Sequence, residues 1–396
     1  MKLSRRKFIK TMSAAAAVAG VPASVITGIG AEKSKPNILW IIAEDIGQDL
    51  GCYGNRLAHT PNLDKFATES VRYVNAFSTA PVCSASRSAL ITGMYQTSIG
   101  AHNHRTFNEF KKSLPDGIVP ITEYFREAGY YTVNVQPPTK AERKKPGPHG
   151  SGKTDFNFKW DDKIFDGKDW NERKPGQPFF AQLSLKASHR GPWWHRERNS
   201  KNQVNPDEVK LPPYYPDHPV ARQDWANYLD AIHLMDSHFG SVMKRLEDEG
   251  LTENTVVFFF GDEGRCMLRA KQWLYDAGLR IPLMIRWQGK IEPLSVKNDL
   301  ISGVDIAATS LAIARINLPD YMHGIDFLAP GYQKREYVVG ARDRCDETVD
   351  RIRSVHTKYF NYIRNYYPER PYTQQNRYKD TRYPMLSLMK KLQIGR

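Results

Sequence analysis

The sequence predicts an α/β fold in which a large, mostly parallel central sheet is covered by helices on both faces. Two observations support this prediction. Segments 36–43 (PNILWIIA) and 255–260 (TVVFFF) are continuously apolar, as expected of strands that are buried on both faces. These strands alternate along the chain with stretches of helical periodicity, which favours parallel pairing. With 396 residues, the chain has room for one large domain and one smaller domain.

The other elements are predicted in chain order from the same patterns. Further strands are expected at residues 71–77, 130–136, 179–186 and 281–286. Helices are expected from residue 60, from residue 83, over 121–128 and over the long amphipathic stretch 224–249. Segment 187–223 is rich in Pro, Arg, His and Trp without periodicity, so we expect an ordered loop that could line a binding site. Strands at 336–340 and 358–364 and an amphipathic stretch at 383–392 predict a smaller C-terminal unit.

Residues 1–31 are predicted to be an export signal and are excluded from the fold. A basic start, MKLSRRKFIK, precedes a run of small apolar residues, and Ile29-Gly30-Ala31 or Ala23 offers a cleavage site. The segment SRRKFIK resembles the twin-arginine signal, which exports folded proteins, so a periplasmic or secreted location is expected. The alternative is a basic disordered tail. The predicted domains are therefore the signal 1–31, a main domain 32–334 and a C-terminal subdomain 335–396.

The net charge of +14 suggests a polyanionic partner. The first 31 residues hold five Lys and Arg residues and no acid, which leaves +9 for the rest of the chain. Because the basic residues are scattered and no nucleic-acid motif is present, we favour a sulfated or phosphorylated glycan over nucleic acid. No apolar run after the N-terminus is long enough to span a bilayer.

Paired acidic residues directly follow two of the predicted buried strands. Glu44 and Asp45 follow the first strand, and Asp262 and Glu263 follow the strand at 255–260. Adjacent carboxylates repel one another, so stability does not explain them. Four oxygen donors at the carboxyl ends of parallel strands suit Ca²⁺ or Mg²⁺. The alternative is a set of solvated loop carboxylates.

A cysteine stands at the start of a predicted short helix, in the segment PVCSASRSALITG. At this position Cys83 feels the positive end of the helix dipole and is expected to tend toward the thiolate, while Arg87, one turn later, could hold an oxyanion. The alternative is a buried structural cysteine. Lys153, His189 and Lys271 lie near strand ends, but each alone is more typical of surface or core.

Taken together, these motifs resemble the type I sulfatases of the alkaline-phosphatase-like superfamily. Segment 83–87 (CSASR) matches the family's C-x-[PA]-x-R motif, and segment 37–54 matches its first strand and metal loop. Asp262, Glu263, Gly264 and Lys271 match the distal metal and lysine block. Segments 98–105, 152–158 and 342–348 resemble the branch nearest heparan N-sulfatase. The resemblance implies an αβα sandwich with an antiparallel C-terminal subdomain, and it makes 32–334 the sulfatase catalytic domain.

The resemblance also implies a chemistry and a set of partners. Cys83 would be oxidised to formylglycine (3-oxoalanine) by a cytoplasmic maturase before twin-arginine export, and its hydrate would attack the sulfur of a sulfated saccharide. Ca²⁺, rather than Mg²⁺, would be held by Glu44, Asp45, Asp262, Glu263 and residue 83. Arg87, Lys153 and Lys271 would neutralise the sulfate oxygens, and His189 would contact or protonate the leaving group. Asp155, His104 and Arg105 would bind substrate.

Four departures from the family pattern keep alternatives open. Glu44 stands where the family usually has Asp, Glu263 where it has His or Asn, and Asp155 where many members have His. The chain also ends earlier than members usually do, so the C-terminal subdomain is expected to be incomplete. The alternatives are a phosphodiesterase or phosphonate hydrolase on the same fold, and a glycan-binding relative without activity. A cysteine phosphatase is disfavoured because its loop needs five residues between Cys and Arg, and this chain has three.

Overall fold

A seven-stranded sheet forms the centre of the fold in a computed structural model that describes residues 35–136, 152–191, 194 and 203–394. Its strands are β1 (Asn37–Ala43), β2 (Val71–Phe77), β3 (Tyr131–Val135), β4 (Phe179–Leu185), β5 (Thr255–Gly261), β6 (Arg280–Arg286) and β7 (Ser295–Ser302). They lie in the order β3-β4-β1-β5-β6-β2-β7. All neighbours pair in parallel except that β6 is antiparallel to β5 and β2, which confirms the mostly parallel prediction. The signal predicted at residues 1–31 lies outside the described residues.

Helices cover both faces of this sheet, as predicted. They are α1 (Pro61–Thr68), α2 (Cys83–Thr92), α3 (Ile121–Glu127), α4 (Pro219–Asp248), α5 (Asp276–Leu279), α6 (Gly303–Ile313), α7 (Arg377–Arg382) and α8 (Pro384–Ile394). Short 3-10 helices occur at Gly51–Tyr53, Asn108–Phe110, Asp162–Ile164, Trp170–Glu172 and Pro206–Glu208. α4 begins five residues before its predicted start because Pro219 suits the first helical turn and the His218 side chain accepts a hydrogen bond from the backbone N–H of Val220.

The apolar runs form strands because each strand is buried from both sides. In β1, Leu39 and Ile41 pack into one hydrophobic cluster, whereas Trp40 and Ile42 pack into the other. The first cluster includes side chains of α1 and α4, and the second includes side chains of α2, α3 and α6. Strand β7 and helix α6 were missed by the sequence analysis, since the first half of β7 is largely exposed and polar.

The C-terminal part of the chain adds a separate three-stranded sheet. Its strands β8 (Tyr337–Arg342), β9 (Ile352–Thr357) and β10 (Asn361–Asn365) pair antiparallel in the order β10-β9-β8. The predicted strands at 336–340 and 358–364 correspond to β8 and β10, and β9 was missed. Residues 36–396 belong to one compact unit, and the domain boundary at residue 335 stays a prediction. Across the described ranges, no helix has the length and apolar character needed to cross a membrane.

Candidate active site

The register of three neighbouring strands brings the predicted acidic residues to one place. Ala43, the last residue of β1, lies opposite Leu185 at the end of β4 and Gly261 at the end of β5. Glu44-Asp45 and Asp262-Glu263 follow directly, and each of the four side chains is at most 2% exposed. The backbone N–H of Asp45 donates to Asp262 Oδ1 at 3.0 Å, which ties the two loops together. Solvated loop carboxylates are therefore ruled out.

Cys83 is the first residue of α2 and is completely buried beside these carboxylates. Its Sγ lies 3.5 Å from Glu263 Oε1, 3.6 Å from Lys271 Nζ and 3.8 Å from Asp45 Oδ1. Burial and the nearby Glu263 raise the pKa of the Cys83 thiol well above its usual value. The expectation of a thiolate is therefore wrong for the unmodified residue, because desolvation outweighs the helix dipole.

Two predicted lysines contact the acidic pairs. Lys271 Nζ lies 2.5 Å from Asp45 Oδ1 and 2.8 Å from Glu263 Oε1, and its side chain is 1% exposed. Lys153 Nζ lies 2.8 Å from Glu44 Oε2 and 3.6 Å from Asp155 Oδ2. Burial is the strongest influence on Lys271 and disfavours its charge, but Asp45 and its other acidic neighbours together outweigh burial and raise the pKa of Lys271 well above its usual value. Burial likewise opposes the charge on Lys153, and its neighbours, Glu44 among them, together raise its pKa. Both lysines therefore carry positive charge next to Cys83.

Arg87 points into the same centre from the second turn of α2. Its Nε donates to Asp262 Oδ2 at 2.9 Å and its Nη1 to Ser184 Oγ at 3.0 Å. Its Nη2 is buried without a hydrogen-bond partner in the described part of the chain and lies 3.9 Å from Glu44 Oε1. An unsatisfied guanidinium nitrogen is a donor that a bound oxyanion could use. The contact with Ser184 was not foreseen, since a serine inside a strand carries no sequence signal.

His189 completes the cluster from the loop after β4. Its Nδ1 lies 2.8 Å from Asp45 Oδ2, and its ring stacks on Tyr378 with 6.4 Å between the centroids. The side chain is 25% exposed, so one edge of the imidazole can reach a bound molecule. Tyr378 was missed because α7, which carries it, has no pattern that links it to the site.

The three predicted substrate contacts lie at the rim of this cluster. Asp155 contacts Lys153, whereas the backbone N–H of exposed Arg105 donates to Ser84 Oγ at 3.2 Å. His104 is buried, and its Nδ1 lies 3.1 Å from Asp346 Oδ1, while its Nε2 has no partner among the described residues. The role of Asp346 was not assigned, although its motif, segment 342–348, was singled out in the sequence.

The donor set suits a hard divalent cation. Four buried carboxyl groups converge here with Lys271, Lys153 and Arg87, and burial raises the pKa of Glu263 well above its usual value, so its charged form lacks sufficient positive charge in this centre. Glu44 Oε1 and Glu263 Oε2 are buried without a partner in the described ranges. Ligand atoms of two groups lie within 4.8 Å of one another: Asp45, Cys83 and His189, and Cys83, Asp262 and Glu263. These acidic residues can therefore hold a metal ion, and His189 joins the predicted ligand set.

Comparison with known families decides which proteins this chain is related to. Residues 36–316 match the family model described as Sulfatase, and residues 264–385 match the model described as N-sulphoglucosamine sulphohydrolase, C-terminal. The chain belongs to the sulfatase family. The resemblance seen in its motifs is confirmed, and so is the α/β fold.

Individual relatives place this sulfatase-family chain among enzymes named for saccharide substrates. It is 35% identical to an ulvan-active sulfatase of Formosa agariphila, over 85% of this chain and 62% of that protein. It is 28% identical to human N-acetylgalactosamine-6-sulfatase, over 74% of this chain and 65% of that protein. The chain thus spans just under two thirds of the length of these two relatives.

Solved structures support the same fold at lower identity. One, determined in complex with its substrate D-glucosamine-2-N,6-O-disulfate, aligns with a TM-score of 0.64 and 17% identity, covering 91% of this chain and 97% of that one. A phosphonate monoester hydrolase of Agrobacterium radiobacter aligns with a TM-score of 0.60 and 15% identity, covering 90% and 94%. At these identities the likeness concerns the fold alone.

Proposed function

We propose that this protein hydrolyses the sulfate ester, or the sulfamate, of a sulfated saccharide by means of a formylglycine made from Cys83. The observation that carries the proposal is the surroundings of Cys83. Its Sγ lies within 3.8 Å of Asp45, Glu263 and Lys271, in a buried centre to which Arg87 of α2 and Lys153 also contribute. Membership of the sulfatase family and the saccharides named for its relatives support the same substrate class.

A calcium ion is proposed as the resident metal. Asp45, Asp262, Glu263 and residue 83 would hold it, with Glu44 and His189 at its edge. When bound, it supplies positive charge that lowers the pKa of the nucleophile and offsets the charge of sulfate. The orphaned carboxylate oxygens of Glu44 and Glu263 support a large cation that accepts many oxygen ligands.

The proposed reaction uses the residues of the cluster in two steps. One hydroxyl group of hydrated formylglycine gives its proton to Glu263, whose Oε1 lies 3.5 Å from Cys83 Sγ, and its oxygen attacks sulfur. The bond from sulfur to the saccharide oxygen or nitrogen breaks, and Glu263 returns its proton to water at the end of the cycle. His189 donates a proton to that leaving atom. Lys271, Lys153 and the free Nη2 of Arg87 neutralise the sulfate oxygens in the transition state.

The second step releases sulfate. The remaining hydroxyl of the sulfated residue loses its proton to the now neutral His189, and the carbon–oxygen bond to sulfate breaks. The products are the aldehyde and inorganic sulfate, and water then restores the hydrate. A serine at position 83 could not eliminate in this way because it has only one hydroxyl group.

We further propose that the protein is periplasmic or secreted and that maturation precedes export. The twin-arginine motif in residues 1–31 supports transport of the folded chain. Because Cys83 is completely buried in the folded state, the maturase would have to act on it before folding is complete. The proposed partners of this protein are therefore a cytoplasmic formylglycine-generating enzyme and the twin-arginine export machinery.

Peptide mass analysis and turnover together test this function. The protein is coexpressed with a formylglycine-generating enzyme, and the peptide that contains residue 83 is examined for conversion of the thiol to an aldehyde. Hydrolysis of 4-nitrophenyl sulfate is then compared with that of the matched phosphate diester and phosphonate ester, with Cys83→Ala as the inactive control. Conversion without sulfate ester hydrolysis, or faster phosphonate hydrolysis, would overturn the proposal. Ulvan oligosaccharides and heparin disaccharides then define the saccharide.

A further inference from the structure

A cavity, called the second cavity below, lies outside the candidate active site, between the loop 268–273 and the C-terminal segment 371–393. The residues of the candidate active site are called the catalytic cluster: Glu44, Asp45, Cys83, Arg87, Lys153, His189, Asp262, Glu263 and Lys271. The volume of the second cavity is about 860 Å³, which is within the range of small-molecule sites. None of the residues of the catalytic cluster lines it. It shares one wall with the active site, because Gln272 and Asn376 line the cavity and both donate to Asp346 Oδ2, whose Oδ1 contacts His104.

Two cations that line this cavity have no carboxylate partner in the described part of the chain. Lys379 is 7% exposed, and its Nζ donates one hydrogen bond, to the backbone carbonyl oxygen of Lys271 at 3.1 Å. An ammonium group has three donors, so two remain for a ligand. Burial and the nearby Arg342 lower the pKa of Lys379 to about 7, which an incoming anion would counteract. Among the described residues, the guanidinium group of Arg269 contacts the aromatic rings of Tyr214, Tyr275 and Tyr372 and has no ion-pair partner.

Aromatic side chains form the other part of the lining. Trp273 and Tyr372 stack with 4.2 Å between their centroids, and the Arg269 guanidinium lies 4.8 Å from the Tyr214 ring and 5.9 Å from the Tyr372 ring. Tyr214 and Tyr372 keep 38% and 42% of their surface exposed, so their rings are open to a ligand. Aromatic faces beside unpaired cations suit a ring with an apolar face and an anionic substituent.

We propose that this cavity is a second binding site for an anionic saccharide, in which Lys379 and Arg269 bind the carboxylate or sulfate group and the exposed tyrosines pack on the sugar ring. The choice of a saccharide over other anionic rings rests on the proposed function. The site would hold a sugar unit of the polymer apart from the one that reacts, and so retain the substrate between turnovers.

Binding of an acidic oligosaccharide without sulfate tests the site separately from catalysis. Hyaluronan tetrasaccharide is titrated into the full-length protein by calorimetry, with cellotetraose as the neutral control. We expect hyaluronan to bind and cellotetraose to bind at least about tenfold more weakly, because hydrogen bonds to charged groups carry the affinity. Lys379→Met and Arg269→Gln should each weaken binding by about 10- to 100-fold.

Matched variants decide where the probe binds. Arg222→Gln, which removes a partly exposed arginine paired with Asp217, should bind the tetrasaccharide like the wild type. Lys153→Gln, in the catalytic cluster, should do the same. Three results would each overturn the proposal. They are an affinity for cellotetraose equal to that for hyaluronan, an unchanged affinity for hyaluronan in Arg269→Gln, and loss of hyaluronan binding in Lys153→Gln. The probe carries no sulfate, so failure of sulfate hydrolysis would not affect this result.

Discussion

Lys379 should make the stability of the protein rise with pH above neutrality, whereas an ordinary surface lysine should leave stability nearly independent of pH. Burial lowers the pKa of Lys379 to about 7, whereas a lysine in the unfolded chain keeps its ordinary value of 10.5. Between these two values the unfolded state binds more protons than the folded state. Stability therefore rises as the pH increases from about 7 to 10.5, and it is independent of this group at lower and at higher pH.

The magnitude follows from the size of the shift. Each unit of pKa corresponds to about 1.4 kcal/mol, so the buried amine destabilises the folded state by about 4 kcal/mol at pH 7. Lys379→Met removes that cost but leaves the carbonyl oxygen of Lys271 without its donor, a loss of about 1–3 kcal/mol. We expect the variant to be about 1–3 kcal/mol more stable than the wild type at pH 7. At pH 10.5 it should be less stable by a similar amount.

Urea denaturation at several pH values from 6 to 10.5 measures this difference. Lys334→Met is the control, because its ion pair with Asp299 leaves the lysine 67% exposed and should contribute at most about 1 kcal/mol. Its difference from the wild type should stay nearly constant over the same range. A difference between wild type and Lys379→Met that is equal at pH 7 and pH 10.5 would refute the reasoning.

Three further predictions concern the catalytic cluster. Lys271→Met leaves Asp45 buried without its lysine, so the free energy of unfolding measured in urea should fall by about 3–5 kcal/mol, against at most about 1 kcal/mol for Lys334→Met. His189→Asn should lower kcat/KM, which reports the steps up to cleavage of the ester, by about 10²–10⁴ for an alkyl sulfate and clearly less for 4-nitrophenyl sulfate, whose leaving group needs no proton. Equal losses of kcat/KM for the two substrates would contradict the role of His189 as an acid. Removal of calcium with EDTA should lower the unfolding temperature. Calcium added back at 100 times its Kd should raise the free energy of unfolding by about 2.7 kcal/mol, and magnesium at the same concentration should raise it less.

Asp346 lies in the wall that the second cavity shares with the candidate active site. One of its oxygens contacts His104 at the rim of the catalytic cluster, and the other accepts hydrogen bonds from Gln272 and Asn376 beside the second cavity. His104 and Asp346 hold each other in place, and burial lowers the pKa of His104. A sugar bound in the second cavity would therefore lie next to the residues that orient the rim of the active site.

Much of the fold could be predicted from the sequence because its strands are buried on both faces. Residues 37–43 and 255–261 are apolar at nearly every position. A strand with that pattern is stable only in the interior of a sheet that is covered on both faces. The same reasoning failed for β7, whose first half is largely exposed and polar, and for β9, whose buried positions include the polar residues Ser354 and His356. β7 lies at the edge of the large sheet and β9 in the middle of the small one, and in both places the neighbouring strands specify the strand more than its own residues do.

The sequence by itself determined the family, the two acidic pairs and the cysteine of the CSASR motif, because these are short motifs that depend on residue type and local spacing. Only the tertiary structure decided how they meet. The register that sets Ala43 beside Gly261 brings residues 217 positions apart within 3.0 Å, as in the contact from Asp45 to Asp262. Burial then reversed the expectation for the Cys83 thiol, since desolvation depends on everything packed around a group. The unpaired cations of the second cavity arise in the same way, from contacts between segments that no local pattern connects.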